Sequence, residues 1–441
     1  MSFIINHSKT LIPIVSILIT FDYGNGRTTG AILKVKIGKI GNRVSNLLFW
    51  GNESQMRRFW TFILVIFLTP TVGLTLTFLM LLISPVFKLR VSIIPTNYFG
   101  HFVYEIDRLI SLNYSLAKRT IFTPQPNISN KFFWRVIKPK FKVWPRLIII
   151  PTFIMINILH LQSQLILTLV KDPKFSESKK LMESKSWFEL VLKNVIPNYL
   201  HPIREFGYLK PIVSFLLRER SFRDKTRQER KDASTYRDVN PKNYESLVES
   251  LSENFQCIRA GKEVLDSRIS DKLGASPLHD HSEEREIEDF ITVSESKVCV
   301  TTDSGSLMLP ILFRKRSFLT NLSLYGLINC VPNQIVMLKK YRFVSSSYEL
   351  NFFELMEMGV HTFTEDCEFT ACGIIPIENS SIEIEALKEE IVAYSAGEWA
   401  PTPKNQETVH KINNYFFDKR ISPVDFVFSN TWIDSNFHLF S

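Results

Sequence analysis

The residues best suited to chemistry sit at junctions between short apolar runs and turns. Lys297-Val298-Cys299-Val300 reads as a strand, the small-residue turn Thr301-Thr302-Asp303-Ser304-Gly305-Ser306 follows, and 307–313 reads as a short helix. Small residues between a strand and a helix let backbone N–H groups and hydroxyls approach a ligand, and the helix N-terminus adds partial positive charge. That geometry suits a phosphate. Upstream, the strand expected at 212–217 ends in Arg218-Glu219-Arg220, and Cys257-Ile258-Arg259-Ala260-Gly261-Lys262 reads as a strand closing on a glycine turn. Gly100-His101 opens a helix over 101–112, where Phe102, Ile106, Leu109 and Ile110 share one face. No paired His/Asp or Asp-x-Asp site marks a catalytic metal. Five cysteines without a CxxC pair argue against a disulfide framework or zinc ribbon and suit a reducing compartment.

Strands must alternate with helices to present such turns together. The β-loop-α-β order over 211–262 and 297–321 implies parallel sheets in an α/β fold. Asn240-Pro241 supplies an N-cap and a proline at the first helical position, ahead of Tyr244, Leu247, Val248 and Leu251 at helical spacing. The charged stretch 223–237 reads mostly as a solvated loop. Late in the chain, 383–393 and 408–417 read as helices, with Glu383, Glu385, Glu389 and Glu390 as a solvated face.

The chain has 441 residues, enough for two or three domains, and 45% hydrophobic against 22% charged residues excludes dominant disorder. The formal charge is +9, but residues 1–90 hold ten Lys/Arg and two acids, which leaves +1 for the rest. This N-terminal excess flanks an uncharged segment, 59–87, and reads as attraction to anionic lipid rather than as a nucleic-acid footprint. Pro70 and Gly73 in its middle leave two forms open, a kinked single span or a hairpin turning near Pro70. The apolar run 11–21 is too short to span. Met56-Arg57-Arg58 resembles a natural start before an anchor, so 1–58 is expected to be a poorly structured basic extension, of which 1–55 is alternatively an upstream extension of the reading frame. A second apolar stretch at 147–159, interrupted by Pro151, reads as a buried strand and helix rather than a second span.

The order of motifs resembles a family of bacterial surface-carbohydrate glycosyltransferases with a GT-B-like fold, distantly similar to O-fucosyltransferases and heptosyltransferases. Four places carry the resemblance: Gly100-His101 with Glu105; the strand ending Leu217-Arg218-Glu219; Tyr236-Arg237-Asp238 with Asn243-Tyr244 and then Ile258-Arg259-Ala260-Gly261; and Thr302-Asp303-Ser304-Gly305-Ser306 through Pro310, Leu312-Phe313 and Thr320-Asn321. The resemblance covers about 88–380. Asp303 stands where the family usually has a small residue, and Lys262 where an acidic residue is common.

The resemblance implies two Rossmann-like domains facing a cleft, and the uncharged run ahead of them adds a membrane-associated helix or hairpin. The expected division is a basic extension (1–58), an anchor (59–87), an acceptor-side domain (88–205), a nucleotide-sugar-binding domain (206–380) and C-terminal helices packing back on the cleft (381–441). The implied activity is metal-independent transfer of a sugar from a nucleotide-sugar to a hydroxyl of a cell-surface glycan or its lipid-linked precursor. The nucleotide-sugar is a co-substrate; no cofactor and no nucleic-acid partner is expected. Arg218, Glu219, Arg259, Lys262, Asp303, Ser304, Gly305 and Ser306 are the implied donor-side residues. His101 is the implied general base, with Glu105 one turn on to orient or replace it. A nucleotide-sugar donor favours the cytoplasmic face of a membrane. Alternatives are a membrane-anchored, catalytically degenerate nucleotide or carbohydrate binder, and a nucleotide-sugar epimerase.

Overall fold

The computed structural model describes residues 18–21, 33–36, 61–167 apart from 62 and 66, 175–195, 210–218, 234–261, 283–328, 333–346 and 348–440. Most of the basic extension, with the start-site question at Met56, lies outside them. The chain divides into two compact units: 1–97 with 119–128 and 141–169, and 98–118 with 129–140 and 170–441.

The first unit contains an antiparallel pair, β1 (Leu18–Phe21) and β2 (Leu33–Lys36). It also has a three-stranded parallel sheet of β3 (Arg90–Ile94), β4 (Thr120–Pro124) and β5 (Lys142–Val143), in the order β3-β4-β5. The apolar segment is a helix, Ile63–Phe87, of 25 residues. At a rise of 1.5 Å per residue it reaches about 37 Å, against about 30 Å of bilayer hydrocarbon. It does not turn back at Pro70. A π turn, Thr69–Gly73, absorbs the proline, whose ring and missing N–H break the ordinary hydrogen-bond ladder. Beyond Pro70 the helix continues as Leu74–Phe87 and ends at Lys88, with φ 49°.

The stretch at 147–159 differs from expectation. It is one helix, Arg146–Ile158, with Pro151 inside it and no strand. Pro151 is tolerated in its second turn, where the lost N–H removes a single bond. At 13 residues the helix is too short to span a bilayer. It crosses the apolar helix tightly: a Cβ added at Gly73 would lie 2.6 Å from the Pro151 carbonyl oxygen. Met80, Val91, Ile149, Ile156 and Leu165 form the small core between helices and sheet.

The second unit is built on six parallel strands: β6 (Ile212–Leu216), β7 (Gln256–Arg259), β8 (Val298–Thr302), β9 (Ser317–Leu322), β10 (Gln334–Leu338) and β13 (Phe426–Phe428). Their order is β7-β6-β8-β9-β10-β13. Every residue of β6, β8, β9 and β10 is buried, as expected of parallel strands covered on both faces. A short antiparallel pair, β11 (Lys340–Phe343) and β12 (Ile374–Ile377), adjoins the sheet in sequence. The α/β class with parallel sheets is as expected.

The units do not follow the expected boundary near 205. The helix Phe99–Lys118 connects β3 to β4 in sequence, yet it packs on the helix Met308–Leu312 of the second unit. Its apolar face of Phe102, Val103, Ile106 and Leu109 is fully buried. The C-terminal segment likewise contributes more than helices, since β13 extends the sheet by pairing with β10.

The acidic face at 383–390 is only partly solvated. Glu390 is buried and accepts hydrogen bonds from Trp399 Nε1 (2.7 Å), Ser429 Oγ (2.6 Å) and the backbone N–H groups of Asn430 and Thr431 (both 2.9 Å). It satisfies the first two N–H groups of the helix Asn430–Asn436, which have no intrahelical partners, while the N-cap Ser429 accepts from the Trp432 N–H. Glu390→Ala strands these donors and is expected to lower unfolding free energy by about 1–3 kcal/mol. The exposed Glu389→Ala should stay within about 0.5 kcal/mol in the same denaturant titration.

Candidate functional site

In the second unit the chain runs from β6 outward to β7, then back past β6 to β8. The carboxyl ends of β6 and β8 therefore flank a topological switch point, where open α/β sheets leave a crevice. Arg218 follows β6 and Asp303–Ser306 follows β8. The two ends are tied: the Arg218 N–H donates to Thr302 Oγ1 at 2.9 Å.

The turn after Asp303 is a 3₁₀ turn, Gly305–Leu307, followed by the five-residue helix Met308–Leu312. So short a helix has little macrodipole, which departs from the expected helix field at this turn. A longer helix takes its place. The helix Phe99–Lys118, interrupted by a kink at the non-helical Asn113 (φ −136°, ψ 37°), brings its first turn, Phe99-Gly100-His101, against Gly305. A Cβ on Gly100 would lie 2.7 Å from Gly305 Cα, and one on Gly305 would lie 2.9 Å from the Gly100 N. Two glycines are needed because backbone meets backbone. No acidic residue occupies that first turn, so its positive end is unopposed there. Beside it, Ser304 Oγ and Ser306 Oγ are 2.5 Å apart.

Two arginines and two carboxylates line the same strand ends. Arg218 Nε donates to Asp238 Oδ1 at 3.0 Å, and its Nη2 reaches Ser234 Oγ at 2.9 Å. Arg237 grips Asp303 twice, Nε to the carbonyl oxygen at 3.1 Å and Nη2 to Oδ1 at 2.6 Å. The other Asp303 oxygen accepts from Ser323 Oγ at 2.5 Å. Gly326 lets this happen, since a Cβ there would fall 2.7 Å from Asp303 Oδ2. The buried Lys339 donates to the Asp238 carbonyl at 3.2 Å. Burial pulls the Lys339 pKa down, although Glu378 and Asp303 oppose it. Burial and the neighbouring Arg237 cation lower the Arg218 value, against Asp238 and Asp303. For Arg237 burial also pulls downward, but Asp303 prevails and holds the value above the ordinary one.

His101 is exposed at the start of its helix. Partial desolvation of its ring lowers its pKa below 6.5, and the Arg237 charge adds to this. The ring therefore favours the neutral form, which accepts a proton.

The structure thus gathers His101, Arg218, Asp303, Ser304, Gly305 and Ser306 around one set of strand ends. Glu105 is placed differently. It is buried and bound to Arg108, Oε2 accepting from Nη2 at 2.7 Å. Arg259 is buried at the end of β7, beside Arg285, which donates to the Arg259 carbonyl at 3.3 Å. Burial and that second guanidinium push the Arg259 pKa down to about 10. Glu219 and Lys262 lie outside the described residues. Sequence reasoning missed Arg237, assigned to a solvated loop, and Asp238, Ser323 and Lys339. The Tyr236-Arg237-Asp238 triplet was the available signal for the first two. Thr320-Asn321 proves to be a brace: Tyr244 Oη bonds Thr320 Oγ1 at 2.6 Å, and Asn321 and Asn379 exchange two 2.7 Å bonds.

Among the described residues no cluster of His, Cys, Asp and Glu could hold a metal ion. No family model and no curated protein matches the chain. Among solved structures, E. coli heptosyltransferase WaaC with ADP is similar over 70% of this chain and 100% of that one, at 9% identity and a TM-score of 0.33. A likeness that distant carries no weight for fold or function.

Gly100→Ala drives a Cβ into backbone and is expected to lower the melting temperature and weaken any ligand held at the Ser304–Ser306 turn. Gly359→Ala, strained at φ 75° but in open space, should cost stability without touching that site. The His101 ring should titrate below 6.5 in histidine-selective NMR, assigned by His101→Asn. Arg237→Gln should move its midpoint upward. Because the folded value is depressed, the unfolded chain takes up this proton first. His101 therefore contributes to stability fully above pH 6.5 and loses that contribution as pH falls through the folded value.

Proposed function

We propose that this protein is a glycosyltransferase that moves a sugar from a nucleotide-sugar to a hydroxyl of a surface glycan or its lipid-linked precursor. The observation that carries the reading is the glycine–glycine contact between Gly100 and Gly305. It supports a single site in which a helix N-terminus, a histidine, a two-serine turn and two arginines meet at a sheet switch point.

In this reading the donor's diphosphate lies across the turn of Ser304, Gly305 and Ser306. Arg218 and the N-terminal turn of the helix Phe99–Lys118 stabilise the charge that develops as the anomeric C–O bond to the diphosphate breaks. The acceptor oxygen bonds the anomeric carbon and gives its proton to neutral His101. Asp303 acts as a positioning residue that aims Arg237, not as a base, because both carboxylate oxygens are already bonded. Glu105 is assigned the structural role of holding Arg108. Arg259 keeps its assignment to the donor's diphosphate, with Lys262 as a further candidate. A nucleotide-sugar donor would place this unit on the cytoplasmic side of the membrane.

A second reading, binding without transfer, is favoured by one observation. Each of the two arginines is already paired with a carboxylate, which reduces the positive field offered to a diphosphate.

Calorimetric titration of the full chain in detergent with UDP, GDP, CDP and ADP tests both readings. One diphosphate is expected to bind selectively and to be lost in Ser304→Trp. Arg218→Ala should then slow transfer by about 10²–10³-fold, as for loss of one fixed oxyanion donor. Slowing of less than tenfold would remove Arg218 from the mechanism. Selective binding with no turnover of the matching nucleotide-sugars would favour the binder, and no binding by folded protein would reject both.

A further inference from the structure

Proteins that contact anionic bilayers need apolar surface to enter the hydrocarbon and cations at headgroup depth. The first unit has both. The helix Ile63–Phe87 leaves Phe67, Leu82, Val86 and Phe87 exposed at 70, 61, 75 and 61%. At the crossing helix Arg146–Ile158, Leu147 is also exposed, as are Leu159 just past its end and Trp144 two residues before its start.

The charges are arranged by the sheet. The three strands β3, β4 and β5 are parallel, so their amino ends share one edge. Lys88 and Arg90 lie at the start of β3, Arg119 immediately precedes β4, and Lys142 begins β5. Arg90 N–H donates to the Arg119 carbonyl at 3.1 Å, which fixes two of the four side by side. Lys88, Arg119 and Lys142 are exposed. No Asp or Glu occurs at 61–97, 119–128 or 141–167. The apolar helix ends one residue before Lys88 and so feeds directly into this basic edge.

We infer that the amino edge of this sheet is a binding surface for the headgroups of anionic phospholipids, with the helices Ile63–Phe87 and Arg146–Ile158 both in contact with the bilayer. The occupant follows from charge complementarity. Among the described residues of the unit the edge carries only cationic charge, and it sits where a membrane-length helix emerges. The membrane contact is therefore wider than a single anchor. It includes Arg119 and Lys142, remote in sequence from the anchor, and Trp144 at the level where indoles favour the interface. This inference is independent of any ligand in the second unit.

The test dilutes the full chain from detergent into vesicles of phosphatidylcholine with and without phosphatidylglycerol, and reads partitioning by flotation. A cation near an anionic surface contributes about 1 kcal/mol, a factor of about five. The triple variant Lys88→Gln/Arg119→Gln/Lys142→Gln should lose about a hundredfold of the preference for anionic vesicles, and Lys142→Gln alone about fivefold. Circular dichroism and gel filtration establish that each variant is folded, and diphosphate titration is read separately. Brominated lipid should quench native fluorescence more than that of Trp144→Phe. Unchanged anionic preference in the folded variants, with no Trp144-dependent quenching, overturns the inference. So does a detergent-resistant dimer abolished by the same substitutions, which would assign the edge to a second copy of the chain.

Discussion

Asp303 is the fixed point on which the candidate site depends. Its buried carboxylate takes Arg237 on one oxygen and Ser323 on the other, while its carbonyl takes Arg237 again. Three segments far apart in the chain are thereby locked at adjacent strand ends. A buried charge is costly unless paired and hydrogen-bonded, and this one is satisfied on every side. The residues that follow it, Ser304 to Ser306, inherit their position from that anchorage. Gly326 is part of the same device, since only a missing side chain leaves room for the carboxylate.

The second constraint is the meeting of Gly100 and Gly305. Backbone-to-backbone approach at this distance excludes any side chain on either partner. It sets a long helix end-on to the turn, where the five-residue helix after Ser306 would offer little field. The electrostatics are consequently mixed. A helix terminus and two guanidiniums supply positive potential, while Asp238 and Asp303 restrain it and hold the guanidiniums in orientation. Such pairing exchanges raw attraction for a preorganised direction, which is the quantity that matters if charge develops on a leaving group.

Much of the second unit was legible locally. Strands β6, β7, β8 and β9 lie where uninterrupted apolar runs and turns place them, and Asn240 caps as expected, its side chain accepting from the Lys242 N–H. Misreadings came where long-range partners decided the outcome. Glu390 looks like a surface acid on a helix, but the N-terminus of a distant helix draws it inside. Residues 147–150 have strand-like composition, but the crossing at Gly73 and Pro151 is helix on helix. Phe426 and Phe428, both buried, show the same limit in the core, since nothing nearby in sequence announces that β13 closes the sheet edge.

The sequence by itself determined most element types of the second unit up to β9, the parallel α/β class, the apolar segment and the chemistry available at each turn, because these follow from local composition and spacing. Tertiary structure decided which of those groups meet. It brought His101 and Arg237 to the Ser304 turn, held Glu105 against Arg108 and set Arg259 beside Arg285. It also aligned Lys88, Arg90, Arg119 and Lys142 along one edge. Hydrogen bonds and charge pairs act over a few ångströms of space regardless of separation along the chain, so their partners become visible only once the chain has folded.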